Sequence, residues 1–451
     1  MNLYWRYCND LNKFCYIGQM KKTSIILLIL TIVAGLFWIN KPKIFPYYNQ
    51  LTQERVGLSK DLQPTSQKNA DFVGSIKCKK CHDEEYHDWN NSLHSKMIQN
   101  IKDDATVVVA DFSKLPSDAD FTLKDAIYTV GSKFKQRYMI PAEINGTDDF
   151  RLGNYQWNVE TQKWQGFKPY KYWYKDAYPH DNREFPTSNT CDGCHFTGYM
   201  STEKRVEKAI ACESCHGPGS NHAKEPENAI YKASISDPIR TNEVCLQCHM
   251  RNRDKRLDNN MSMKALWMKA KDYPSGYEAG KALIDYKKMA PFELGKESKE
   301  FWANGAAKKN RTQGNEYVHD TMYTHGITCI NCHNPHTLSN RADKSEGNDA
   351  CMKCHSFGSI VGPHQPTLEA HTHHKANSKG SLCIECHMPK TAKHTGKSPL
   401  TVRSHKFKFT SPAETKMYKM PPQTNACFAC HKEKSLDTLQ NNLKEWGMVQ
   451  W

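Results

Sequence analysis

The chain has 451 residues, a formal charge of +14 from 62 Lys and Arg against 48 Asp and Glu, and only 38% hydrophobic residues at a mean hydropathy of −0.76. Its length would allow roughly three domains, yet so apolar-poor a chain excludes large cores built from side chains alone. The positive charge would ordinarily point to a nucleic acid or an anionic membrane.

Residues 1–19 resemble neither a targeting signal nor a folded unit and read as a candidate non-native N-terminal extension; Met20-Lys21-Lys22 opens an export n-region, with Met20 a candidate start. Within 20–40, the stretch Thr23 to Asn40 is uncharged and rich in Ile, Leu and Val. As a helix rising about 1.5 Å per residue it reaches about 27 Å, enough to span a bilayer. Phe37-Trp38-Ile39-Asn40 offers no small-x-small cleavage site, which favours an uncleaved anchor over a signal peptide. Lys21 and Lys22 then place the body on the periplasmic side of the inner membrane. A cleaved segment would instead release it to the periplasm or the cell surface. Residues 41–70, polar with Pro42, Pro46 and Pro64, read as a tether.

Residues 71–110 hold the first Cys-x-x-Cys-His unit, and the motif occurs eight times: Cys78, Cys81 and His82; Cys191, Cys194 and His195; Cys212, Cys215 and His216; Cys245, Cys248 and His249; Cys329, Cys332 and His333; Cys351, Cys354 and His355; Cys383, Cys386 and His387; Cys427, Cys430 and His431. This is the signature of c-type haem attachment, in which two thiols add to the vinyl groups and the next histidine binds the iron. Paired cysteines can also build zinc sites, but zinc does not require a histidine directly after the second cysteine, and here it follows every time. Sixteen of 18 cysteines are used; Cys8 and Cys15 remain, so the body has none left for a disulfide framework. The expected cofactors are eight covalently bound haem c groups, whose macrocycles replace side-chain volume in the core. Their 16 propionates leave a net charge of about +6 oxidised and about −2 reduced, so Lys and Arg are read as propionate partners and no nucleic acid is expected.

Residues 111–185 form an insert of alternating β-branched and aromatic residues, such as Gln136-Arg137-Tyr138-Met139-Ile140 and Tyr155-Gln156-Trp157-Asn158, with Gly and Asn-Gly turns that predict a small antiparallel sheet between haems 1 and 2. Its aromatic residues would pack against haem faces or flank a channel. Residues 186–260 carry haems 2–4 and 316–395 carry haems 5–7, with similar cysteine intervals that a duplication or shared haem geometry would explain. Residues 261–315 read as a helical connection, and 396–451 hold haem 8 with a terminal helix from Leu436 to Trp446 as cap. The expected fold is mainly α with extensive loops, organised around a stacked multihaem core.

Thirteen of the 21 histidines lie outside the motifs, enough to supply a sixth ligand to every iron. The strings Cys212 through His222, His325 through His336, His371 through His374, Cys386 through Lys390 and Arg403 through Phe407 resemble bacterial multihaem cytochromes related to cytochrome c554, a group that shares its haem packing with the octahaem hydroxylamine oxidoreductases. The stretch Gln156 to Trp164 is similar to an insert in octahaem members. By motif match the resemblance implies distal roles for His94, His222, His336, His371, His374 and His405; His319 and His325 are weaker candidates, His180 and His364 stay open, and His87, His373 and His394 are poorer. The Cys-x-x-Cys-Lys variant of related nitrite reductases is absent, and nothing marks Tyr317 or Tyr323 as crosslinked.

Catalytic residues are therefore unknown, and the reading leans to an electron-transfer protein rather than an enzyme. It would relay electrons through mostly bis-histidine haems in a periplasmic or envelope respiratory chain, with other cytochromes or a quinol-oxidising membrane complex as partners. The alternative is an oxidoreductase acting on nitrite, hydroxylamine or tetrathionate at one five-coordinate haem.

Overall fold

The computed structural model divides into two units, residues 1–58 and 59–451. It describes residues 4–7, 16–19, 62–144, 146–167, 186–232, 237–254, 271–289, 293–337, 347–394 and 399–447. In the first unit, β1 (Tyr4–Tyr7) pairs antiparallel with β2 (Tyr16–Gln19), Tyr4 opposite Gln19 and Tyr7 opposite Tyr16. The expectation that residues 1–19 carry no folded element is thus corrected to a short hairpin, whose strands are rich in the aromatic and β-branched residues that favour pairing. The expected anchor Thr23 to Asn40 lies outside the described residues; among those described, no helix is long and apolar enough to cross a membrane.

In the second unit the helices are short. Seven motifs open in or beside one, including Ser75–Cys78, Asp192–His195, Cys212–His216, Pro238–Leu246, Cys329–Cys332 and Cys383–His387. One turn suffices because the motif's own hydrogen bond, histidine N–H to the carbonyl of its first cysteine, is made at 2.9 Å in His82, His249, His333 and His355. The terminal helix runs Leu436–Glu445, N-capped by Ser435, whose hydroxyl accepts from Thr438 N, with Leu439 and Leu443 buried.

The insert is a six-stranded antiparallel sheet: β3 (Ile98–Asn100), β4 (Tyr128–Val130), β5 (Lys135–Ile144), β6 (Thr147–Leu152), β7 (Tyr155–Asn158) and β8 (Lys163–Gly166), in spatial order β3-β4-β5-β7-β8 with β6 on the far half of β5. A two-residue connection ending in Gly146, at φ +74°, sets Ile144 opposite Thr147. The period of two decides the faces. Tyr138 and Ile140 turn one way and build a core with Phe112, Phe121, Tyr155 and Trp164, where Tyr138 meets Phe112 at 4.9 Å. Several of the insert's aromatic residues thus pack on one another. Lys135 and Arg137 turn the other way.

The helical connection expected over 261–315 is not found in its described part. Residues 271–289 and 293–312 hold one 3-10 turn, Leu283–Asp285, and the short strand Lys287–Met289, before a helix at Gln313–Tyr317. Gly276, Gly280, Gly295 and Gly305 all take positive φ there, which breaks any helical run.

Candidate haem sites

Six motif histidines each face a histidine from outside their own motif, five of them from more than 50 residues away. The ring centroids of His82 and His222 are 6.4 Å apart, those of His249 and His94 6.4 Å, and those of His216 and His336 6.3 Å. His333 and His405 stand at 6.3 Å, His387 and His371 at 6.3 Å, and His431 and His374 at 6.1 Å. Direct ring stacking would be closer, as for His394 on Phe134 at 3.8 Å or His373 on Trp446 at 4.3 Å. Two metal–nitrogen bonds of about 2.0 Å, with each ring centre about 1.1 Å beyond its nitrogen, put imidazole centroids about 6.2 Å apart. The six pairs fit a metal between the rings.

Their second nitrogens fit as well. His222 Nδ1 donates to Asn228 O at 2.8 Å, His374 to Thr372 O at 2.6 Å, His405 to Arg403 O at 3.2 Å, His371 to Gln365 Oε1 at 3.0 Å and His216 to Tyr231 O at 3.0 Å. Since these oxygens only accept, Nδ1 carries the proton and Nε2 keeps its lone pair for a metal. Burial pushes His249 and His405 down to about 4, so both rings stay neutral, as a metal ligand must.

The attachment cysteines of different motifs also abut: Cys78 on Cys212, Cys194 on Cys248, Cys245 on Cys329 and Cys351 on Cys383. Cys386 lies within electrostatic range of Cys427 and Cys430, and Cys215 of Cys245. Buried acids hold these junctions. Glu213, inside the third motif, accepts from Val73 N, Gly74 N and Gly219 N at 3.0, 2.8 and 2.8 Å, tying the first motif to the third. Glu316 accepts from Ala307 N, Ser404 Oγ and His405 N at 2.8, 2.6 and 2.7 Å. Neither acid is singled out by the sequence, because each acts on segments far along the chain, although Glu213 sits within a motif.

Two motif histidines stand differently. His355 turns Nδ1 to Val361 O. His195 is enclosed, and its Nδ1 has no hydrogen-bond partner among the described residues. Burial, then Arg311, Arg137 and Lys135, push its ring down to about 3. Those basic residues and Arg251 form a half-buried group in which Arg311 Nε and, opposite Lys135 in the sheet register, Asn158 Nδ2 lack partners among the described residues. The adjoining Gly193 is required: a Cβ there would lie 2.2 Å from the Tyr273 ring.

Of the other expected histidines, His325 is exposed with Nδ1 on Thr321 O at 2.8 Å, His87 and His364 are exposed, and His180 lies outside the described residues. His319 is largely enclosed beside Lys406. Catalytic geometry beyond these groups is not seen among the described residues.

Paired cysteines, a following histidine and a second histidine across a metal-sized gap define a c-type cytochrome. The family described as cytochrome c554 and c-prime matches residues 77–128 and 152–217, and the doubled CXXCH motif matches 322–359. The chain is 26% identical over 180 residues to the multiheme cytochrome MtrA of Shewanella baltica (strain OS185), covering 38% of this chain and 50% of that one, so it spans about half the length of this curated relative. The crystal structure of the outer cell wall cytochrome OcwA superposes with a TM-score of 0.63 at 25% identity, covering 83% of this chain and 86% of that one. An undecaheme cytochrome from the S-layer of Carboxydothermus ferrireducens gives a TM-score of 0.44 at 18% identity, over 85% and 60% of the two chains. The chain is a multihaem c-type cytochrome.

Proposed function

We propose that this chain holds eight haem c groups and relays electrons among them in the cell envelope. The observation that carries the reading is the set of six histidine pairs at 6.1–6.4 Å, each setting a motif histidine against one from outside its motif. Bound haem supplies reversible one-electron chemistry at iron. The protein's part would be to hold the iron of each paired motif between two histidines, so that little moves when an electron arrives and small anions are kept off the metal. The abutting cysteines support short steps: motif 1 to 3, 3 to 4, 2 to 4 and 4 to 5 in one run, and 6 to 7 to 8 in another. Likeness to an outer cell wall cytochrome supports an envelope location. Anchorage through Thr23 to Asn40 in the inner membrane, with other cytochromes or a quinol-oxidising complex as donor, completes the proposal.

A second reading rests on His195. Arg137, Arg251 and Arg311 outnumber two propionates, so their surplus charge would suit a small oxyanion such as nitrite or tetrathionate beside that motif. Denaturing mass spectrometry and the ferric spectrum separate the readings. Eight haem masses with a wholly low-spin spectrum, unmoved by nitrite, support the relay alone. A high-spin site that nitrite shifts, with turnover, replaces it with the enzyme.

A further inference from the structure

The segment that leads into the first motif is packed along the surroundings of the third. Leu62 N donates to Gly280 O at 2.8 Å and Gln63 Nε2 to Ala279 O at 3.1 Å; further on, Asp71 N donates to Ser220 Oγ at 2.8 Å and Ser220 N to Asp71 O at 3.0 Å. Between these points the 3-10 turn Thr65–Gln67 buries Gln67, which is 5% exposed. An amide offers donors and an acceptor in one plane, and here all are spent around one motif histidine. Gln67 Nε2 donates to His216 O at 2.6 Å and to Pro218 O at 3.3 Å, while Oε1 accepts from Tyr231 N at 3.2 Å. Tyr231 O in turn accepts from His216 Nδ1 at 3.0 Å. The backbone of His216, the amide of Gln67, the backbone of Tyr231 and the ring of His216 thus close a circle. Gly217 makes room for it: this residue holds φ at +73°, and a Cβ there would stand 2.3 Å from Gln67 Nε2.

We propose that Gln67 is a positioning residue for the haem of the third motif: it holds Tyr231 against the motif's backbone, aims the Tyr231 carbonyl at His216 Nδ1, and so sets how strongly this histidine donates to iron. The proposal rests on the reading that the third motif holds a haem between His216 and His336. A hydrogen bond given by Nδ1 makes Nε2 the stronger base, which favours ferric over ferrous iron and keeps this haem's potential down. With the amide gone, Tyr231 is freed to draw back and the bond from Nδ1 lengthens. The redox step itself stays the same: one electron turns ferric iron ferrous, no bond breaks, and the proton remains on Nδ1. Gln67 lies in the stretch expected to be a tether, so the chain's approach to its own body becomes part of a haem site.

The test is a redox titration of the full haem-loaded protein, followed by haem absorbance. Gln67→Met keeps the length of the side chain and removes its hydrogen bonds; Gln67→Asn keeps the amide but leaves it too short to reach both partners. In each, one step should move to higher potential by about tenfold in its equilibrium constant, about 59 mV for one electron, with the other steps and the haem count by mass unchanged. The near-parallel low-spin ferric signal, to which His216 and His336 contribute at 17°, should alter, while the crossed signal of His94 and His249 at 60° stays. Gln63→Met, in the same segment but bonded to Ala279 O and Glu278, should leave both readings where they are. If it moves the same step, the segment acts by general packing and the assignment to Gln67 falls. It falls equally if the Gln67 variants titrate as the parent does, or lose a haem with no step moved. Free thiols at Cys212 and Cys215 in the unmodified protein, found by peptide mass, overturn the haem reading beneath it instead.

Discussion

The rings of His371 and His387 lie parallel to within 6° at 6.3 Å, while those of His94 and His249 are crossed at 60° at 6.4 Å. The difference comes from what holds each ring. His371 is fixed from its own helix, Leu368–Thr372, through Gln365, whereas His94 follows the helix Asp83–Asn90 and reaches for Pro335 O at a long 3.4 Å.

Parallel imidazole planes give a well-resolved rhombic low-spin ferric signal, and crossed planes stretch its largest component. Electron paramagnetic resonance should therefore resolve at least these two types. His371→Ala should weaken the near-parallel signal, to which His216–His336 at 17°, His333–His405 at 26° and His82–His222 at 28° also contribute, and create one high-spin site, leaving the crossed type alone. Loss of the crossed type in that variant would contradict the pairing.

Glu316 is buried and receives three donors from two segments, so truncation orphans two backbone N–H groups and a hydroxyl. Glu316→Ala should cost about 2 kcal/mol or more, read as a lower urea midpoint. It should also loosen His405, broadening one low-spin signal. Glu316→Gln, which keeps one acceptor, should fall between. An Ala variant within about 0.5 kcal/mol of the parent, the usual range for surface changes, would mean the acid holds nothing.

Gly193 lies between Cys191 and Cys194 with the Tyr273 ring where a side chain would go, and Tyr273 is itself tied to Ser188 O at 2.6 Å. Gly193→Ala should cost about 1–3 kcal/mol by overpacking and reduce haem attachment at this motif, seen as a fraction of molecules one haem lighter by mass. Full haem content at parental stability would show that Tyr273 moves aside freely.

Attachment chemistry is legible because it needs five consecutive residues, and the insert because Tyr138, Trp157 and Trp164 alternate with polar neighbours. Which face the aromatic residues take is not legible, since alternation alone does not say which side meets the motifs. Nor is partner choice: His82 meets His222 across 140 residues of chain, and nothing local to either names the other. Residues 271–312 mislead because Leu283 and Tyr286 keep helical spacing while glycines at positive φ interrupt it. Gln67 and Glu316 look like ordinary polar residues until the fold brings their acceptors and donors together.

His319 offers a pH test with a defined sign. Burial, aided by Lys406, pushes its pKa down to about 4, against 6.5 in the unfolded chain. Between those values the unfolded chain binds the proton and the folded one does not, so the histidine's contribution is complete above about pH 6.5 and is lost as pH falls toward 4. With about 1.4 kcal/mol per unit, the loss approaches about 3 kcal/mol. His319→Gln removes this titration and leaves the other acids and bases in place. Stability of the parent minus that of the variant, from urea unfolding at several pH values, should be constant above pH 6.5 and shrink below it. The neutral-pH spectrum adds a second reading from the same variant: if His319 bound an iron, its replacement would create a high-spin site. Unchanged low-spin signals with a shrinking stability difference assign it to packing, whereas a flat difference across the window would show that the ring is not held neutral by burial.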